Sequence, residues 1–144
     1  MTTVAVSQLS SEDRALIDDL IARYNRSLDT GDKEEFVSLY TENGAWVSPM
    51  EGTFQGHQAI ADWFDEFHSR TDSPHHNGQH RVSNVIIDSV SEDRCEVWCN
   101  WIFVASKNGG PHTTVMGNYL DVLVKKRGRW LFEKRTIEIT AQNG

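Results

Sequence analysis

The apolar positions change period once along the chain. Ile17, Leu20, Ile21, Tyr24 and Leu28 recur at three- and four-residue spacing, which predicts an amphipathic helix from Ser11 with one buried stripe. Ser10 or Ser11 can cap its start, and Glu12 and Asp13 put acids in the first turn, where the helix dipole favours them. Gly31 predicts its end. Asp32 then opens a second, short helix, with Glu35 completing a capping box and Phe36, Leu39 and Tyr40 as its buried side. Ala45-Trp46-Val47 reads as a short strand, Gly52 and Gly56 bracket a turn, and Ile60, Trp63, Phe64 and Phe67 mark a third helix.

Beyond a polar, His-rich loop at 73–78 the period falls to two. Four long strands are predicted, at Gln79–Val90, Arg94–Ser106, His112–Lys126 and Arg129–Thr140. Ser91-Glu92-Asp93, Lys107-Asn108-Gly109-Gly110-Pro111 and Arg127-Gly128 supply tight turns between them, so the strands form an antiparallel meander. Helices first and strands after define a single α+β domain over residues 1–144, with no linker or internal repeat. In the strand from Arg94, Trp98, Ile102 and Val104 share one side and Val97, Trp101 and Phe103 the other. Two apolar faces predict a homo-oligomer, dimer or trimer, that covers the face the helices leave bare.

Composition narrows the partners. With 38% hydrophobic and 24% charged residues the chain can build a core, which argues against a disordered chain. A net charge of −7 with 14 Lys+Arg argues against nucleic acid or an anionic membrane as partner. No stretch approaches a membrane span, and the first ten residues lack the basic start and apolar run of a signal peptide. Cys95 and Cys99 lie four residues apart on one strand, about 13 Å, too far for a disulfide. They are expected as free buried thiols of a reducing compartment, and the protein as cytoplasmic.

Several residues carry possible chemistry. Asp29 falls at the C-terminal end of the first helix, where the dipole disfavours a negative charge; it can act as acid or base, or be a solvated turn residue. His80 opens a strand on the same side as Val82, suited to proton transfer near pH 7 or simply to a surface position. Arg135 shares parity with Leu131, Ile137 and Ile139, so it points to the apolar side and needs an acidic partner: Asp29, Asp121 or a substrate oxygen. The hydroxyls of Tyr24 and Tyr119 can hold a substrate carbonyl or pack in the core. Trp46, with Trp98 or Trp101, can wall an apolar cavity for a small ring-containing ligand, while Trp130 reads as core. His75, His76 and His80 lack the carboxylates or thiols that would complete a metal site, and read as a loop over the pocket mouth. No Gly-rich phosphate loop is present, and neither metal nor cofactor is expected.

The spacing Tyr24-x4-Asp29-x-Gly31-Asp32, followed by Phe36, Leu39-Tyr40, Gly44, Trp46, Gly52 and Gly56-x3-Ile60, resembles the front half of SnoaL-like proteins of the nuclear transport factor 2-like superfamily. Tyr119-x-Asp121, Gly128-x-Trp130 and Arg135 are similar to the back half. The resemblance implies a cone-like fold whose curved antiparallel sheet wraps a pocket. It does not imply one function, because the scaffold carries dehydratases, isomerases, polyketide cyclases, dioxygenase small subunits and binding modules. Similarity to scytalone and bile-acid dehydratases implies Asp29 and His80 as an acid/base pair, Arg135 as part of the site and Tyr24 as a substrate-binding hydroxyl. Asn100 falls where some dehydratases use a second His or an Asp. The expectation is a cofactor-independent lyase or isomerase acting on a small hydrophobic, cyclic or aromatic substrate. The alternatives are a non-catalytic ligand-binding or assembly domain resembling the dioxygenase small subunit, and a polyketide-type aldol cyclase.

Overall fold

The computed structural model describes residues 9–70 and 78–143. Helix α1 spans Ser11–Thr30. The Ser10 hydroxyl accepts from the Asp13 backbone N–H at 3.0 Å while the Asp13 carboxylate reaches back to Ser10, closing a capping box. Gly31 ends the helix in the left-handed region at φ 81°, a conformation costly for any residue with a Cβ. Helix α2 covers Lys33–Ser38, with the Asp32 carboxylate accepting from the Glu35 N–H. Glu35 does not reach back to Asp32; it pairs with Arg23 and Arg26 on α1.

Strand β1 is Tyr40–Ser48 and β2 is Gly52–Gln55, followed by α3 at His57–Ser69. Tyr40 thus leaves the predicted short helix and starts β1. Strands β3 (Gly78–Ser91), β4 (Arg94–Lys107), β5 (Gly110–Lys126) and β6 (Arg129–Gln142) match the four predicted strands. They form the expected antiparallel meander. The sheet order is β2-β1-β6-β5-β4-β3, and β1 pairs with β6 in parallel, so the sheet is mixed. It is curved and open, with helices packed on one face.

One face of β4, comprising Cys95, Val97, Cys99, Trp101 and Phe103, is buried with the α1 stripe and with Ile60, Trp63, Phe64 and Phe67 of α3. Cys95 and Cys99 are free and buried, and burial pushes their thiols up to about 12 and about 11. On β6 the expected parity fails at Leu131. Phe132 pairs with Leu123 but Lys134 with Val122, so Glu133 is an extra residue that flips the alternation. Trp130 and Phe132, not Leu131, therefore share the buried face with Arg135 and Ile137. At a second irregularity Gly117 lets β5 and β6 close in: a Cβ there would stand 1.8 Å from the Glu138 carbonyl oxygen. The outer face exposes Trp98, Met116 and Leu120, crossed by a ladder of hydrogen bonds from Asn84 through Asn100 and Asn118 to Glu138. No helix among the described residues is long and apolar enough to cross a membrane.

Candidate functional site

The inner face of the sheet and the helices enclose a cavity of about 440 Å³, within the range that holds small organic ligands. Its walls are aromatic. Trp46 stacks on Trp63 with ring centroids 4.0 Å apart, and Trp101 lies nearly parallel to Tyr119, 14° between planes at 5.4 Å. Phe67, Phe103, Ile137 and Ile139 complete the apolar lining. Such walls offer flat apolar faces to whatever enters the cavity.

His80 stands at the edge of this cavity, near the start of β3, beside the rings of Trp101 and Phe103. Its Nδ1 lies 2.6 Å from Asp29 Oδ1, and its backbone N–H donates to Asp29 Oδ2 at 2.9 Å. Both side chains are nearly enclosed, 9% and 13% exposed. Because Asp29 uses one oxygen for the ring and the other for the backbone, it fixes both the position and the orientation of the imidazole. A carboxylate facing Nδ1 accepts a hydrogen bond from the proton held there, which leaves Nε2 as the nitrogen available to a ligand. Asp29 itself does not line the cavity; it borders a surface groove between α1 and β3 that shares His80 with the cavity.

The two tyrosines form the polar floor. The Trp46 indole N–H donates to the Tyr24 hydroxyl at 2.9 Å, and burial pushes the Tyr24 phenol up to about 12, so it stays a neutral donor. Burial likewise pushes Tyr119 well above its ordinary value.

Arg135 does not reach the cavity. It is fully buried behind the tyrosines, with its guanidinium carbon 4.2 Å from the Tyr24 ring centre and 3.7 Å from that of Tyr119. Of its three possible partners it takes Asp121, through Nε–H to Oδ1 at 2.8 Å and Nη2–H to Oδ2 at 2.9 Å. Burial opposes its charge, but the Asp121 carboxylate more than offsets this and its pKa stands above the ordinary value. Arg135 therefore supports the tyrosines from beneath and is not a direct ligand contact.

Trp98 and Asn100 are corrected too. Both lie on the outer face of β4, Trp98 37% exposed and Asn100 within the amide ladder, while Trp101 supplies the cavity wall. His75 and His76 lie outside the described residues. Among the described residues no group of three or more His, Cys, Asp or Glu stands together as metal ligands would.

The cavity also holds polar residues that the sequence did not single out: Ser48, Glu51, Arg70, Thr114, Gln142 and Asn143. Glu51 Oε1 accepts from the Trp63 indole N–H at 3.1 Å and from Arg70 Nη2, and Arg70 also grips Glu66. Glu51 sits in the turn between β1 and β2, where its nearest sequence signal is the adjoining Gly52.

These features define a small α+β domain built around an aromatic ligand cavity with a carboxylate-oriented histidine at its edge. The chain belongs to the SnoaL-like domain family, which residues 10–136 match. The fold it shares includes dehydratases, isomerases and ligand-binding proteins. Among solved structures it is similar to a protein of unknown function with a cystatin-like fold from Nostoc punctiforme PCC 73102, with a TM-score of 0.81 and 23% identity over 92% of this chain and 94% of that one. A protein from Novosphingobium aromaticivorans DSM 12444, provisionally named a scytalone dehydratase, gives 0.77 and 22% identity over 92% and 87% of the two chains. LinA gives 0.78 and 20% identity over 90% and 87%. At these identities the likeness shows the fold. No curated protein matches the chain.

Proposed function

We propose that the protein is a cofactor-independent lyase of the dehydratase type, or an isomerase, acting on a small hydrophobic ring-containing substrate. The observation that carries this reading is the Asp29–His80 pair at the edge of an aromatic cavity. Tyr24 and Tyr119 hold the substrate oxygen by hydrogen bonds and stabilise the charge that develops on it. His80 Nε2 removes a proton from the carbon beside that oxygen-bearing carbon, while Asp29 stabilises the imidazolium through Nδ1–H. In elimination the electron pair left on carbon forms a double bond as the neighbouring C–O bond breaks. The departing hydroxide takes the proton from His80 and leaves as water. In isomerisation His80 returns the proton to a different carbon.

The fold shared with the protein named a scytalone dehydratase supports the dehydratase form. A binding-only module would free no base, but here Arg135 takes Asp121 and leaves Asp29 to His80. The unpaired thiols Cys95 and Cys99 support a reducing, cytoplasmic setting. The exposed apolar outer face supports a homo-oligomer.

The test is proton exchange in D2O into 2-tetralone and related cyclic ketones, followed by NMR. His80→Ala and Asp29→Asn should each lower the catalysed rate by about 10²–10⁴-fold with circular dichroism unchanged. Folded variants that exchange at near-normal rates reject the mechanism.

A further inference from the structure

The cavity has a second polar pole that the acid/base reading does not use. The sheet order places Glu51, in the turn between β1 and β2, at one edge of the sheet, and His80, on β3, at the other. Both line the same cavity. Glu51 is held rigidly: the Trp63 N–H and Arg70 Nη2 both donate to its Oε1. These fix the carboxylate while Oε2 accepts no hydrogen bond among the described residues. Trp63, which anchors Glu51, is also one half of the Trp46–Trp63 stack in the cavity wall.

We infer that Glu51 recognises a hydroxyl on the ligand, at the end remote from the atom His80 deprotonates. The inference rests on the proposed cavity function and names its substrate class: a ring compound with an oxygen at the tyrosine floor and a separate hydroxyl at the far rim. Arg70 and Glu66 matter to the selectivity. Arg70 donates to Glu51 and to Glu66 at once, so it holds the Glu51 carboxylate in place as a hydrogen-bond acceptor. Glu51 is only 23% exposed, so a ligand without the hydroxyl strips water from an acceptor and returns nothing. That penalty is what discriminates against the unsubstituted ring.

The experiment is calorimetric titration of the full chain with 2-tetralone and with 6-hydroxy-2-tetralone, whose hydroxyl lies on the ring away from the ketone. The native protein should bind the hydroxylated ketone about tenfold more tightly, the scale of one net hydrogen bond to a charged group. Glu51→Gln should bring the two within about twofold, since it keeps shape but weakens the acceptor. Glu51→Asp keeps the charge, retracts it by one methylene and should give an intermediate ratio; it also serves if the Gln variant folds poorly. Equal binding of both ketones by the native protein, or an unchanged preference in folded E51Q, overturns the assignment of Glu51 alone. Exchange lost in His80→Ala with no preference at Glu51 would leave the acid/base reading standing without it. Failure of both ketones to bind overturns this proposal and the aromatic-ligand reading together.

Discussion

The buried Arg135–Asp121 pair is the most sensitive point of the structure. Both side chains have no exposure, and two charge-assisted hydrogen bonds of 2.8 and 2.9 Å hold them together. Three aromatic rings close over the guanidinium, those of Tyr24, Tyr119 and Phe132, with Phe132 at 4.6 Å from its carbon. Asp121→Asn leaves a cation in this box without its counter-charge. Breaking a buried pair by removing one partner costs about 3–5 kcal/mol. Against a total stability of about 5–15 kcal/mol this is a large fraction. For a chain of this length it corresponds to a fall in melting temperature of about 6–20 °C. Arg135→Met should cost a similar amount, by stranding the carboxylate. The double variant removes both charges, together with a guanidinium nitrogen, Nη1, that is buried without a hydrogen-bond partner among the described residues. It should recover part of that loss, to within about 1–3 kcal/mol of the native protein, because no buried charge is left unpaired and the remaining cost is that of one neutral amide without a partner. The double variant should nevertheless bind cyclic ketones less well, since the plate beneath Tyr24 and Tyr119 is gone. Urea titration and thermal melting of the three variants measure the cycle. A single variant that loses less than about 1 kcal/mol, or a double variant no more stable than either single, refutes the argument.

Two further outcomes follow from the rest of the molecule. Asp13 is lowered from 3.8 to about 2, first by the Trp130 indole N–H at 2.9 Å and then by Lys125, against burial. Its folded value lies below its unfolded one, so its stabilisation is present above pH 4 and is lost as pH falls toward 2; denaturant titrations should show the gap between the native protein and Asp13→Asn narrowing by about 1 kcal/mol from pH 7 to pH 3. On the outer face, Ile86, Trp98, Met116 and Leu120 are 51%, 37%, 46% and 41% exposed, so light scattering should give a multiple of 16.4 kDa, and Leu120→Lys should reduce it to one chain. A native mass of one chain would mean that the face stays open to solvent.

The long elements were legible because their periodicity is sustained. The α1 stripe, its caps and the four long strands follow from spacing and turn chemistry alone. Strand β2 was not, since only Phe54 in its four residues is apolar. Nor was the parallel pairing of β1 with β6, which joins segments some 90 residues apart with no local signal. Parity correctly separated Trp98 from Trp101 but did not say which face the helices cover. At Arg135 the inward orientation was right, as were its neighbours Ile137 and Ile139; only Leu131 was misplaced, because a single inserted residue, Glu133, resets the alternation between Phe132 and Lys134.

The candidate site lies where such reasoning is weakest. Periodicity carries information about the interior of an element, since only there does one face stay buried over several turns or pleats. Asp29 sits in the last turn of α1, His80 close to the beginning of β3, and Glu51 in the turn before β2. None belongs to a stripe. Asp29 is indistinguishable in composition from any acid before a capping glycine, and it stood out only through the spacing it shares with SnoaL-like proteins. Glu51 shares no such spacing and was missed. There is a physical reason for this placement. A polar group in mid-stripe would interrupt the packing that holds the element, whereas one at an element's end is aimed by the rigid body behind it at little cost to the core. Tyr24 is the instructive exception: it lies within the α1 stripe, yet as an amphipathic ring it packs its face against Phe36 and Arg135, lines the cavity and gives its hydroxyl to the Trp46 indole N–H.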